Sequence, residues 1–222
     1  EGLYVGYRYY QTADVAPAFP FGFGLSYTSF AYSDLKATSD SVTLTVTNTG
    51  SCDGAEIVQI YVAKPDAKVF RPVQELKGFE KVKLAAGESK CVAIPLDDKA
   101  FRYWNTMTNA WEIEGGRYEI RVGASCEDIR LTATVEVAGT GAPNPYAGIS
   151  LPHYESGKVM NVPDAEWEVL LDRPIPDDTV KIDRNMTLGE LKHSRSPLCW
   201  LVWLVLGLFL EGTTLGVLTV IA

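Results

Sequence analysis

Apolar and polar side chains alternate along much of the middle of this chain. Val42, Leu44 and Val46 are separated by threonines, the pattern of a strand with one face in a core. Val58, Ile60 and Val62 interleave with Ile57, Gln59 and Tyr61, so both rows carry apolar groups and this strand is predicted to lie inside a sheet. Val92, Ile94 and Leu96 form a further row after the turn AAGES. Tyr118, Ile120 and Val122 alternate with Arg117, Glu119 and Arg121. Leu131, Ala133, Val135 and Val137 stand opposite Thr132, Thr134 and Glu136. Turn sequences recur between these rows: NTGSCDG, AAGE, IEGG and SCED. About seven short strands in roughly 110 residues, with no crossover helix between them, predict an all-β fold built as an antiparallel sandwich.

Composition then divides the chain. Residues 1–29 are dense in Gly, Tyr, Phe and Pro; 30–138 hold the strands; 139–150 (GTGAPNPYAGIS) read as a linker; 151–196 are a polar tail; and 197–222 are apolar. The 222 residues are 46% hydrophobic, enough for one core with extensions. The formal charge of -8, without a block of Lys or Arg, argues against a nucleic-acid partner, because phosphate contacts need clustered cations. The cysteines, Cys52, Cys91, Cys126 and Cys199, form no CxxC pair, so metal-site spacing is absent. Free thiols in a reducing compartment are the expectation, and a Cys52–Cys126 bridge stays open. The Cys…Trp…Cys spacing of true immunoglobulin domains is missing, which favours a fibronectin-III-like sandwich.

Specific strings add to this pattern. GLYVGYRYYQTADVAPAFPFGFGLSYTSF (Gly2 to Phe30) resembles the end of the α/β-sandwich domain of family 3 glycoside hydrolases, chiefly β-glucosidases, with Gln11 where that family usually has Asp. VQELKGFEKVKLAAGES (Val73 to Ser89) and WEIEGGRYEIRVGAS (Trp111 to Ser125) resemble the fibronectin type III-like domain that follows it. RPIPDDTVKIDRNMTLGEL (Arg173 to Leu191) resembles text found after that domain in some bacterial members. The resemblance implies a parent that cleaves O-glycosidic bonds with a nucleophilic Asp and an acid/base Glu, and a β-glucoside substrate met only through the parent. Both carboxylates belong to stretches upstream of the text resembled here. No catalytic, cofactor-binding or metal-binding residue is therefore expected in this chain, no cofactor is implied, and the expected partner is the upstream catalytic domains. The alternative is a free-standing fibronectin-III-like carbohydrate-binding or interaction module, tethered to a membrane or not.

Several residues invite a chemical reading. Glu112 and Glu114 lie beside Trp111, and Asp97 and Asp98 lie beside a strand end, a pairing that could do acid/base work, but adjacent acids in a β-rich chain are expected to be solvated turn charges. His153 and His193 are forty residues apart and lack the spacing of a metal site or triad. Tyr103, Trp104 and Trp111 offer aromatic faces for a sugar, or cover for the core, or a docking surface. Tyr4, Tyr7, Tyr9, Tyr10, Phe19, Phe21 and Phe23 suggest a strap between domains, with glycines permitting close backbone approach. Asn185-Met186-Thr187 is a formal glycosylation sequon, expected to be chance.

From Leu198 the chain runs to Ala222 with one charge, Glu211. As a helix this run would reach about 38 Å, longer than a bilayer core of about 30 Å. Glu211 near the middle would cost about 3 kcal/mol there. Gly212 and Gly216 have the GxxxG spacing of helix pairs. A transmembrane anchor, a buried helix or hairpin docked on other parts of the enzyme, and truncated or out-of-frame residue text stand as three readings. Lys192 and Arg195 precede the run, which would keep the sandwich on the cytoplasmic side of a membrane. The expected location is the cytoplasm, with membrane association through 197–222.

Overall fold

The computed structural model describes residues 2–176, 187, 189–194 and 196–212. The chain divides into two compact units, Glu1–Val162 and Pro163–Ala222. In chain order the strands of the first unit are β1 (Phe30–Ala37), β2 (Ser41–Asn48), β3 (Gly54–Ala63), β4 (Glu75–Leu84), β5 (Ser89–Pro95), β6 (Arg102–Asn105), β7 (Ala110–Ile113), β8 (Gly116–Gly123) and β9 (Ile129–Val137). Three form a sheet in the order β1-β2-β5 and four a sheet in the order β4-β3-β8-β9, with every pairing antiparallel. β6 and β7 form a separate hairpin. The seven strands of the two larger sheets are the predicted all-β sandwich.

Alternation decides which side chains meet between the sheets. Val42, Leu44 and Val46 of β2 are fully buried against Val58, Ile60 and Val62 of β3 and Ile120 and Val122 of β8. The threonines between them stay half-exposed, so the register of β2 is fixed by one face. In β1, pairing shifts between Ser33 and Lys36, where Asp34 takes a left-handed φ of 55° and makes a bulge. Gly78 on β4 explains the LKGF string: a Cβ there would lie 2.8 Å from Cγ2 of Ile94 in the opposite sheet, so only glycine permits that sheet spacing.

β3 is buried on both faces from Val58 to Ala63, as its two apolar rows predict. One reason is its interior place in the sheet. The other is that residues 2–29 cover its second face, with Tyr7 of the short helix α1 (Tyr7–Thr12) against Tyr61 and the Gly22 carbonyl over Gln59.

Residues 139–150, a linker by composition, run hydrogen-bonded along the sandwich. Thr140 N donates to Ile113 O (3.0 Å), Asn105 Nδ2 to Pro143 O (2.8 Å) and Asn144 Nδ2 to Lys68 O (3.2 Å). They lead to α2 (Pro152–Ser156), which starts on a proline and stops at Gly157 in the left-handed region. Tyr154 of α2 packs on Phe70, which also meets Tyr146 and Tyr4, while the Tyr4 hydroxyl donates to Tyr154 O. The two ends of the first unit are thereby joined through one aromatic cluster.

The second unit contains α3 (Asp164–Leu171), with Asp164 and Glu166 in its positively polarised first turn, and α4 (Pro197–Gly212). Among the described residues no helix is long and apolar enough to cross a membrane. Asn185 and Met186 of the sequon, Arg195 and Gly216 lie outside the described residues.

Candidate functional site

Residues 2–29 carry the chain's densest run of aromatic rings, and the structure gives that run two different sides. The inward side is fastened to the outer face of the β4-β3-β8 sheet. Tyr7 stacks on Phe21 at 4.5 Å and meets Tyr61 edge-on at 6.1 Å, and its hydroxyl accepts from Leu76 N at 2.8 Å. Arg8 pairs with Glu75 at 3.2 Å, and Thr12 Oγ1 accepts from Val73 N at 3.1 Å. Gln11 Nε2 donates to Cys126 O at 2.8 Å while its Oε1 accepts from Gln74 Nε2 at 3.0 Å. Cys126 N donates to Phe21 O, so the β8–β9 turn also holds the strap.

Gln59 lies beneath all of this, 4% exposed. Its Nε2 donates to Ala124 O (2.5 Å) and Gly22 O (3.2 Å), and its Oε1 accepts from the Tyr61 hydroxyl (2.6 Å). Gly22 has φ +82°, and a Cβ there would overlap the Gln59 amide. The glycine is required by both conformation and space. Burial raises the Tyr61 hydroxyl far above the ordinary tyrosine range and raises the Cys126 thiol. Tyr4 is pushed up to about 12 by burial first and by the Glu155 carboxylate second.

The outward side has no such cover. Phe19 is 72% exposed, Leu25 90% and Tyr27 101%, and Phe21 and Phe23 are about half-exposed. Behind this row a groove of about 630 Å³ opens between residues 20–30, the start of β3 and the β8–β9 turn. Glu56, Glu127, Asp128 and Arg130 supply its charges. Arg130 reaches Asp128 at 2.9 Å, Glu56 at 3.5 Å and Phe30 O at 3.0 Å, and lies 4.7 Å over the Tyr32 ring. The Tyr32 hydroxyl donates to Glu56 at 2.8 Å, and burial followed by that carboxylate raises its pKa far above the usual range.

The residues singled out in the sequence fall into structural roles. Glu114 accepts from Lys68 N at 2.7 Å and pairs with Arg71 at 3.2 Å. Glu112 accepts from Thr108 Oγ1 at 2.9 Å. Asp97 caps a 3₁₀ turn through Lys99 N at 3.0 Å, and Asp98 pairs with Arg102 at 3.4 Å. Each of these carboxylates is engaged by a cation, a cap or a hydroxyl. His153 lies on α2 and His193 in the 3₁₀ turn Glu190–His193, one in each unit. Cys52, Cys91, Cys126 and Cys199 are free thiols, so no bridge joins Cys52 to Cys126. Among the described residues no group of three His, Cys, Asp or Glu is arranged to hold a metal ion.

The β6–β7 hairpin is absent from the sequence reading. Its signal was present: Asn105 Oδ1 accepts from Met107 N (2.9 Å) and Thr108 N (3.3 Å), and Asn109 takes φ 53°, so NTMTN is an Asx-led turn between aromatic strands. Trp104 and Trp111 face each other across it, 5.4 Å apart and edge-on, both about half-exposed, with Arg102 over Trp111 at 4.6 Å. The tryptophans thus stand outside the core, while Tyr103 lies under the Arg71 guanidinium at 5.7 Å.

Comparison with known proteins agrees with this architecture. The model of the fibronectin type III-like domain matches residues 56–126. The chain is 50% identical over 150 residues to an exo-α-(1→6)-L-arabinopyranosidase of Bifidobacterium breve, covering 65% of this chain and 20% of that protein. It is 49% identical over 148 residues to thermostable β-glucosidase B of Acetivibrio thermocellus, covering 63% and 20%. Among solved structures, the family 3 (GH3) β-glucosidase of Bifidobacterium adolescentis superposes with a TM-score of 0.61 at 37% identity, over 91% of this chain and 25% of that one. The β-glucosidase of Kluyveromyces marxianus does so with a TM-score of 0.58 at 45% identity, over 61% and 17%. The chain spans about a fifth of the length of the curated relatives it matches.

Proposed function

We propose, from the correspondence of this chain to the fibronectin-III-bearing C-terminal part of family 3 glycoside hydrolases, that it is the accessory brace of a β-glucosidase-like enzyme. The observation that carries this is the match itself: identity near one half over 148–150 residues of this chain accounts for only a fifth of each relative. The parent's chemistry is hydrolysis of a terminal β-linked glucose or a related sugar. The retaining route needs two carboxyl groups about 5 Å apart, one forming the glycosyl-enzyme and the other handling the proton. In this reading both come from the catalytic domains, and Glu112, Glu114, Asp97 and Asp98 keep the structural partners described above.

A chimera tests the reading. The matching part of the Bifidobacterium adolescentis β-glucosidase is replaced by this chain, and cleavage of an aryl β-glucoside is followed. The chimera should be active and the 222-residue chain alone inactive. Glucoside cleavage by the chain alone, lost on changing one of its own acids, would overturn it.

We place parent and chain in the cytoplasm, with α4 seated against the catalytic body. What supports a cover for α4 is its exposed apolar side chains, Leu198 and Leu201 among them. Contact with a membrane is the second reading, favoured by exposed apolar side chains such as Leu198, Trp200, Leu201 and Val205 along α4.

A further inference from the structure

We infer that the outward side of residues 19–27 and the groove behind it are the docking surface for the catalytic body, and that the segment seated in the groove is apolar with a cationic side chain. The inference rests on the accessory reading and names the surface through which the brace acts. Phe19, Leu25 and Tyr27 are the reason to look here. Three large apolar side chains within nine residues are left almost wholly in water, although the same stretch tucks Phe21 onto Tyr7. A loose loop would need no explanation of that kind, but this backbone is pinned. Gly22 O and Phe21 O are held from the sheet side by Gln59 and Cys126, and Thr28 Oγ1 donates to Asn48 Oδ1 at 2.5 Å. The exposed side chains are therefore presented from a fixed frame, which lowers the ordering cost of association.

Charge gives the partner its character. The groove lining holds three carboxylates, Glu56, Glu127 and Asp128, against one guanidinium, Arg130. That guanidinium is already engaged by Asp128, Glu56 and Phe30 O. The remaining negative potential favours a Lys or Arg on the incoming segment. It also opposes a second copy of this chain as occupant, because an isologous pair would set two acidic grooves against each other.

The test uses the chimera with the Bifidobacterium adolescentis catalytic body, carrying either Leu25→Asp with Tyr27→Asp or Glu127→Lys. Each variant should lower the activity surviving a heat challenge by about tenfold. The same substitutions in the 222-residue chain alone should leave its thermal midpoint unchanged, which separates docking from folding. Raised salt should weaken the unsubstituted chimera and leave the Glu127→Lys form insensitive. Substituted chimeras as durable as the unsubstituted one would overturn this inference while the accessory reading stood. An unsubstituted chimera without activity would strike the accessory reading itself, and this surface with it. If the isolated chain elutes as a dimer that Leu25→Asp with Tyr27→Asp dissolves, the occupant is a second copy and the inference falls.

Discussion

The Gln59 amide donates to two carbonyls from different segments and accepts from a fully buried tyrosine hydroxyl, so its loss strands groups on both sides of the strap. Replacing it by leucine, similar in size, leaves the Tyr61 hydroxyl without its acceptor and Ala124 O and Gly22 O without their donor. An orphaned buried polar group costs about 1–3 kcal/mol, and Gln59→Leu is expected to destabilise the chain by about 2–4 kcal/mol in urea unfolding. An unchanged midpoint would mean that the strap is not held there. Tyr4 supplies a pH test. Its folded pKa, about 12, stands above the ordinary 10, so the folded state favours the protonated phenol. That contribution is complete below pH 10 and is lost as pH rises through about 12. Two pKa units correspond to about 2.7 kcal/mol. Unfolding followed from pH 9 to pH 12 should steepen over this window, and Tyr4→Phe should flatten the slope while costing about 1 kcal/mol at neutral pH for the lost bond to Tyr154 O.

At the scale of elements, the alternation in β2, β3, β8 and β9 was enough to read the strands and the sandwich from the sequence, because one face of each strand is fixed by the inter-sheet core. The second apolar row of β3 was legible as burial but not as strap, since periodicity reports that a face is covered and not by what. The β6–β7 hairpin had only its Asx-led turn to announce it, because four-residue strands are too short for alternation to register and NTMTN contains no glycine. The outward aromatics were visible as composition only; their exposure depends on which rings the sheet claims. Turns, by contrast, are carried by single side chains. Asn48, fully buried at the end of β2, donates through Nδ2 to Cys52 O (2.8 Å) and Leu84 O (3.2 Å) and accepts through Oδ1 from Gly50 N (3.1 Å) and Thr28 Oγ1 (2.5 Å). Asn48→Asp would set a carboxylate oxygen against two carbonyls. A loss of about 2–4 kcal/mol is expected at neutral pH, and it should shrink as acid protonates the new side chain, read from urea midpoints at pH 7 and pH 4. Asn48→Ala, which cannot titrate, should show no such recovery.

For the whole molecule the deciding contact is the one that covers α4. α4 is 16 residues, about 24 Å at 1.5 Å per residue, against a bilayer core of about 30 Å. Its apolar side chains are not confined to one stripe, since Trp200 and Leu204 are exposed on the side of the helix away from the exposed Leu198, Val202 and Leu206. Such a helix needs a cover on every side, and lipid or a protein groove would serve. The two covers predict different behaviour. A groove on the catalytic body buries α4 only in the assembled enzyme, so the chimera should stay in the soluble fraction without detergent, while the 222-residue chain alone should self-associate and a version ending at residue 196 should not. A bilayer would instead carry the chimera with floated anionic vesicles through its 197–222 segment and release it only with detergent. Soluble chimera together with self-associating free chain is the expected result, and co-flotation of the assembled enzyme would move α4 from the protein interior to the membrane.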